Sequence, residues 1–161
     1  MVAAALAVAE RGLAVGELPI GAVVVMGDEI VGSAYTQERT SGRRLVHADL
    51  LALTEADERL GWRPRPHPLA LAVTLEPCLM CAGAAMALGI REIVFALESP
   101  GDGAATVAAS WPTHPDLPSY VAPVVRGGVL RQECQNLFRR YVAVTADSPM
   151  VRWARSLVDL P

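Results

Sequence analysis

From Val2 to Val15 the chain carries Ala, Leu and Val at helical spacing, and the run stops at Gly16, which predicts a first helix. Ile20 to Met26 is a β-branched run. The Gly27-Asp28 turn and a second run, Glu29 to Tyr35, complete the pattern of a hairpin. Thr36 to Leu45 is polar and Arg-rich and reads as a loop. Leu50 to Leu60, closed by Gly61, predicts a helix that starts near His47. Trp62 to Pro68 is a linker, because Pro64, Pro66 and Pro68 cannot occupy a helix interior. Leu69 to Leu75 is apolar enough for a central strand buried on both faces. Pro77 then opens a helix that runs to Gly89, and Ile93 to Leu97 is another strand. Glu98 to Pro118 is a long loop rich in Gly, Ser and Pro, a length that usually marks function or motion. Val121 to Arg126 offers a fifth strand, and Val129 to Val144 and Met150 to Leu160 are closing helices. This order predicts an α/β fold, a mixed sheet covered by helices on both faces.

Composition narrows the class. A chain of 161 residues is the size of one domain, here 1–161. With 52% hydrophobic and 19% charged residues, disorder is excluded. No apolar run approaches the ~18 to 20 residues that span a bilayer. Met1 to Glu10 lacks the basic start of a secretory signal, and three cysteines do not build a disulfide framework. A cytoplasmic protein without membrane association is expected. The net charge is -3, and all 14 basic residues are Arg. That balance disfavours sequence-independent nucleic-acid binding, which rests on phosphate neutralisation. Arg43 with Arg44, Arg63 with Arg65, and Arg139 with Arg140 are read as solvated surface pairs rather than a binding patch. Phosphate-cradling glycine loops and a serine nucleophile elbow are absent from the sequence.

The chemistry concentrates in Cys78-Leu79-Met80-Cys81, which puts two thiols on the first turn of a helix. Free N–H groups and the positive dipole end there favour thiolates. A lone C-x-x-C leaves redox chemistry, zinc binding and simple burial open. The thioredoxin-like order that accompanies redox use is missing. His47, at the start of another helix, supplies a third ligand. Two thiolates and an imidazole with a fourth position open are the requirement of a catalytic zinc site.

His47-Ala48-Asp49, followed by Thr74-Leu75-Glu76-Pro77-Cys78-Leu79-Met80-Cys81-Ala82-Gly83-Ala84, resembles the H-x-E and P-C-x-x-C signature of the zinc-dependent nucleobase deaminases. Within that superfamily it is most similar to the bacterial tRNA adenosine deaminases and the guanine deaminase type. Glu17 to Val25 resembles their first strand and its lead-in, Ile93 to Ala96 their fourth strand, and Gly128 to Leu130 with Glu133-Cys134 their late helix. The resemblance covers nearly the whole chain. It implies a three-layer α/β/α sandwich with a mixed five-stranded sheet, and one Zn2+ held by His47, Cys78 and Cys81. It also implies a homodimer, and hydrolytic replacement of an amine on a ring carbon. In that chemistry a nearby carboxylate takes the protons of the water in turn and delivers one to the ring nitrogen and one to the departing ammonia. The substrate wall implied by the resemblance comprises Ile20, Thr36, Ala48 and Glu76.

Three departures set this chain apart. The carboxylate position is Asp49 rather than Glu, shorter by one methylene, roughly 1.5 Å, where proton transfer needs contacts of ~2.6 to 3.2 Å. Asp49 either does the same work on a closer backbone, or ligates zinc and closes the site, or stands too far away. Thr36 replaces the Asn usual after the second strand, and so offers one donor in place of two and a carbonyl acceptor. The C-terminal segment Met150 to Pro161 is amphipathic and barely basic. These departures favour a small nucleobase, nucleoside or related heterocycle as substrate. The tRNA wobble adenosine stands as the alternative, and a catalytically silent zinc protein as a second. Trp111 and His114 are expected at the substrate entrance, on a lid formed by Glu98 to Pro118. Trp62 and Trp153 are expected to pack, His67 to be an exposed loop histidine, and Cys134 to be a buried thiol facing Leu130, Leu137 and Phe138.

Overall fold

The computed structural model describes residues 1–112, 114–117 and 120–160. Its elements follow the order α1 (Val2–Ala14), β1 (Gly21–Met26), β2 (Glu29–Tyr35), α2 (Glu38–Ser41), α3 (Ala48–Leu60) and β3 (Leu69–Leu75). They continue with α4 (Leu79–Leu88), β4 (Ile90–Leu97), α5 (Ala105–Ala109), β5 (Val124–Arg126), α6 (Arg131–Val144) and α7 (Pro149–Val158). The strands form one five-stranded sheet in the order β2-β1-β3-β4-β5. β1 is antiparallel to β2 and β3, and β4 is parallel to β3 and β5, so the sheet is mixed as expected.

Side chains alternate across the sheet and build two cores. Val23, Val25, Ala72, Val94 and Ala96 pack with α1, α6 and α7, where Val8, Phe138 and Leu157 are buried. Ala22, Val24, Leu71, Val73, Ile93 and Phe95 pack with α3, α4 and α5 through Ala52, Ala85 and Ala105. The result is the three-layer α/β/α sandwich. Gly32 lets α3 lie directly on β2, since a Cβ there would sit 2.1 Å from the Ala52 carbonyl oxygen.

Several boundaries differ from the sequence expectation, each for a local reason. α2 sits inside the segment read as a loop. Its Arg39 and Thr40 N–H groups donate to the buried carboxylate of Glu17, a tertiary cap that periodicity does not reveal. α5 likewise interrupts the long loop, with the Ala105 N–H held by Glu76. α4 begins at Leu79 rather than Pro77, because Cys78 is its extended N-cap. β4 starts at Ile90, directly after the left-handed Gly89. β5 is confined to Val124–Arg126, because Pro123 has no N–H to continue a ladder. Leu130 is left-handed at the N-cap of α6 (φ 58°) and 37% exposed, so it does not share the buried face of Cys134.

The topology gathers the functional segments at one end of the sheet. The antiparallel pairings of β1 bring its start to the end where β2 and β3 finish. Ile20, Thr36 and Glu76 flank those strand ends, and the first turns of α3 and α4 open beside them. No helix among the described residues is long and apolar enough to cross a membrane.

Candidate metal centre and adjoining cavity

His47 is the N-cap of α3 and Cys78 the N-cap of α4, with Cys81 in the first turn of the same helix. His47 Nδ1 lies 3.6 Å from Cys78 Sγ and 3.8 Å from Cys81 Sγ. All three ligand atoms lie within 4.8 Å of one another. Tetrahedral zinc with Zn–S of about 2.3 Å and Zn–N of about 2.0 Å requires N···S separations of about 3.6 Å. The residues present therefore fit a zinc ion with little rearrangement. The two soft sulfurs and one imidazole leave the fourth position free for water or substrate.

The electrostatics agree with that donor set. The Cys78 thiol is pulled down to about 4, chiefly by the Cys81 thiol that donates to it, with His47 contributing. It is thus a thiolate, the metal-binding form, at neutral pH. Cys81 is pushed up by the same partnership and by burial, so it keeps its proton in the metal-free protein. His47 rises to about 9 through its contact with Cys78, despite opposing desolvation. Metal binding must displace these protons, which makes it weaken as pH falls.

Beside this cluster lies a cavity of about 390 Å³. Its lining includes His47, Cys78, Asp49, Ile20, Thr36, Ala48 and Glu76, so the sequence-derived set converges on one place. Asp49 is in the first turn of α3 and only 5% exposed. Burial pushes its carboxyl up to about 7, and the Cys78 charge adds to the rise. Asp49 does not belong to the compact ligand group of His47, Cys78 and Cys81. Thr36 is buried, with its hydroxyl shared between the Glu38 carboxylate at 3.3 Å and the Val46 carbonyl at 3.4 Å. Glu76 borders the cavity, but both carboxylate oxygens accept backbone N–H groups, from Ser99 and Ala105 at 3.1 Å each. Its work is to fasten the segment after β4 against the cysteine turn. A Cβ at Gly103 would fall 2.2 Å from Glu76 Oε2, so glycine permits that approach.

Two expectations are corrected. Trp111 and His114 do not line the cavity. Trp111 instead stacks edge-on with Tyr120, ring centroids 6.3 Å apart, and His114 pairs with Asp116. The aromatic part of the lining comes from Trp153, for which the sequence predicts packing only. It joins Pro149 and Met150 of α7, with Leu18 and Leu75, in the lining of the cavity. The i, i+3 spacing of Met150 and Trp153 places them on one helix face. Nothing in that spacing says which surface the face meets. Part of the expected lid, at residues 113 and 118, lies outside the described residues. Cys134 is buried as expected, its thiol donating to the Thr74 carbonyl at 3.2 Å and pushed up to about 12 by desolvation.

A mixed sheet with helices on both faces and a Cys/Cys/His donor set at two helix starts define a zinc-binding scaffold with one open ligand position. Residues 1–97 match the cytidine and deoxycytidylate deaminase zinc-binding region, and the chain belongs to this deaminase family. It is similar to the tRNA-specific adenosine deaminase of Bacillus subtilis, 36% identical over 127 residues, covering 78% of this chain and 76% of that one. A tRNA(Ile)-lysidine synthase of Deinococcus radiodurans is 39% identical over 141 residues, covering 84% of this chain but 23% of that protein. Among solved structures, a tRNA:A34 deaminase is 30% identical with a TM-score of 0.69, covering 83% and 94% of the two chains. A guanine deaminase from Nitrosomonas europaea shares the fold at 23% identity and a TM-score of 0.66, covering 87% and 81%.

Proposed function

We propose that the protein deaminates a small aminated heterocycle, a nucleobase or nucleoside, with Asp49 as the proton shuttle. The character of the cavity carries this reading. At about 390 Å³ it has the size of a small-molecule site. Its walls are apolar, with the carboxylates of Glu38 and Asp102 among its polar groups, and no Arg is among its lining residues. An RNA loop would need cationic phosphate contacts that this lining does not offer. A flat, uncharged ring is suited by the apolar lining that Trp153, Met150 and Ile20 contribute.

Zinc, when bound, supplies the Lewis acidity that lowers the pKa of a water in its open position. Asp49 takes one proton from the attacking water and passes it to the ring nitrogen, then takes the second proton from the added hydroxyl and passes it to the amine, which leaves as ammonia. The ring carbon exchanges its C–N bond for a C–O bond, and water is the only co-reactant. Burial supports this role for Asp49, because a carboxyl near 7 can both accept and return a proton at neutral pH.

An ammonia-release screen over aminated purines, pyrimidines and triazines, with an anticodon stem-loop included, tests the proposal. Turnover of at least one small heterocycle, with kcat/KM nearly unchanged between low and physiological salt, is the expected result. Inosine formation in the stem-loop alone would replace it with wobble-adenosine editing, the reading favoured by the 36% identity to the Bacillus subtilis enzyme. Trp153→Ala should raise KM for the preferred base about tenfold, in keeping with ~1 to 3 kcal/mol for base–aromatic stacking, with a smaller change in kcat. An unchanged KM would remove α7 from the substrate wall.

Free thiol ligands suit a reducing compartment, so the same reading places the protein in the cytoplasm. Self-association also belongs to it, as the family resemblance implies. Sedimentation as a monomer at micromolar concentration would remove that part.

A further inference from the structure

Glu38 stands across His47 from the two cysteines. Its Oε1 is 3.7 Å from His47 Nε2, while Nδ1 of the same ring faces Cys78 and Cys81. An imidazole that offers Nδ1 to a metal keeps one further polar group, the Nε2–H, pointing the opposite way. The Glu38 carboxylate is the acidic group beside that nitrogen, at ion-pair distance.

Its placement is built by the chain around it. Glu38 is the first residue of α2, which Glu17 anchors through the Arg39 and Thr40 N–H groups. The Gln37 N–H donates to the Val46 carbonyl at 3.0 Å, pinning the start of α2 to the residue before His47. The Thr36 hydroxyl reaches Glu38 Oε2 at 3.3 Å, so the second carboxylate oxygen is held from the far side. Thr36, Glu38 and His47 thus form a polar chain that ends at Nε2, the ring nitrogen opposite the one that faces the cysteines.

We infer that Glu38 is a positioning residue of the metal centre: it takes the Nε2–H of His47 and holds Nδ1 toward Cys78 and Cys81. A ligating histidine fixed in this way is locked in one tautomer and one ring orientation, and becomes a better donor. This rests on the ligand set alone and stands whichever ring is deaminated. It also gives Thr36 a second duty beyond the substrate wall, that of steadying Glu38.

Zinc affinity measured by chelator competition on the purified chain tests it, using Glu38→Ala and Glu38→Gln. Glu38→Ala should weaken zinc binding about 10- to 100-fold. Glu38→Gln, which keeps an acceptor oxygen for the Nε2–H, should recover most of that loss. The visible spectrum of the Co(II)-loaded protein should change in the Ala variant and return toward the parent in the Gln variant. The melting temperature of the metal-free protein should stay unchanged in both, because the Glu38 side chain is a third exposed. Zinc affinity within twofold of the parent in Glu38→Ala, with KM for substrate raised instead, would overturn the inference and make Glu38 a substrate contact. Equal losses in the Ala and Gln variants, together with a lower melting temperature, would also overturn it. Failure of every small heterocycle in the ammonia screen would leave these metal titrations standing.

Discussion

Asp49→Asn is expected to keep a full complement of zinc and to lose deamination by about 10² to 10⁴-fold, the range typical of a missing general acid–base group. The amide has nearly the shape of the carboxyl, so the first turn of α3 and the His47 ligand should be undisturbed. It cannot accept the proton of the attacking water, so the loss falls on kcat more than on KM. Burial sharpens the case. A carboxyl only 5% exposed and raised to about 7 is unlike a solvated surface acid, and it borders the cavity beside the metal ligands. Steady-state kinetics with metal analysis of the same preparation checks the result. Loss of zinc in Asp49→Asn, or a carboxylate oxygen about 2.0 to 2.2 Å from the metal, would make Asp49 a ligand and the protein silent. Asp49→Glu measures reach. A large gain in rate would show that the shorter acid works at a disadvantage, whereas little change would show a backbone already adapted to it.

Cys81→Ser is expected to reduce zinc from about one per chain to below about 0.1, to abolish turnover, and to lower thermal stability. A serine hydroxyl is a poor ligand for zinc beside thiolate, so the tetrahedron loses one of its two soft donors. The stability loss follows from the position of the ligands. His47 starts α3 and the cysteines start α4, so the ion joins two helices that otherwise meet through small side chains. A ligand bound only by the folded state at a thousandfold excess over its Kd adds ~4 kcal/mol, which the variant and a chelated parent should both forfeit. Cys134→Ser is the control. That thiol is buried against the Thr74 carbonyl on the other face of the sheet, and its loss should leave the zinc content unchanged. Zinc retained at one per chain in Cys81→Ser would refute the ligand assignment.

Much of this was legible along the chain because the signals are local. Near-continuous apolar runs in β1, β3 and β4 announce strands that pack on both faces, and Gly16, Gly61 and Gly89 mark where helices stop. Cys78 and Cys81 stand three residues apart at the N-cap and in the first turn of α4, so their closeness is a local matter and half of the metal site is legible from spacing. His47 and Asp49 are likewise fixed to each other by the first turn of α3.

The remainder depends on groups distant in the chain. α2 and α5 are too short to stand by themselves, and a remote carboxylate holds each: Glu17 accepts the Arg39 and Thr40 N–H groups, and Glu76 accepts that of Ala105. Trp153 and Trp111 are both Trp in polar surroundings, and only the docking of α7 against the core of Phe138 and Leu157 decides that the first reaches the cavity. Glu38 sits in a stretch that reads as loop, and its closeness to His47 exists only once the segment from Thr36 to Val46 has folded back. The sequence alone determined the order of elements, the His/Cys/Cys donor set and the short acid beside it, since each is written in residue type and spacing over a few positions. Tertiary structure decided the cavity walls and the environment of each acid, because burial and closeness across the chain arise only when separate elements pack.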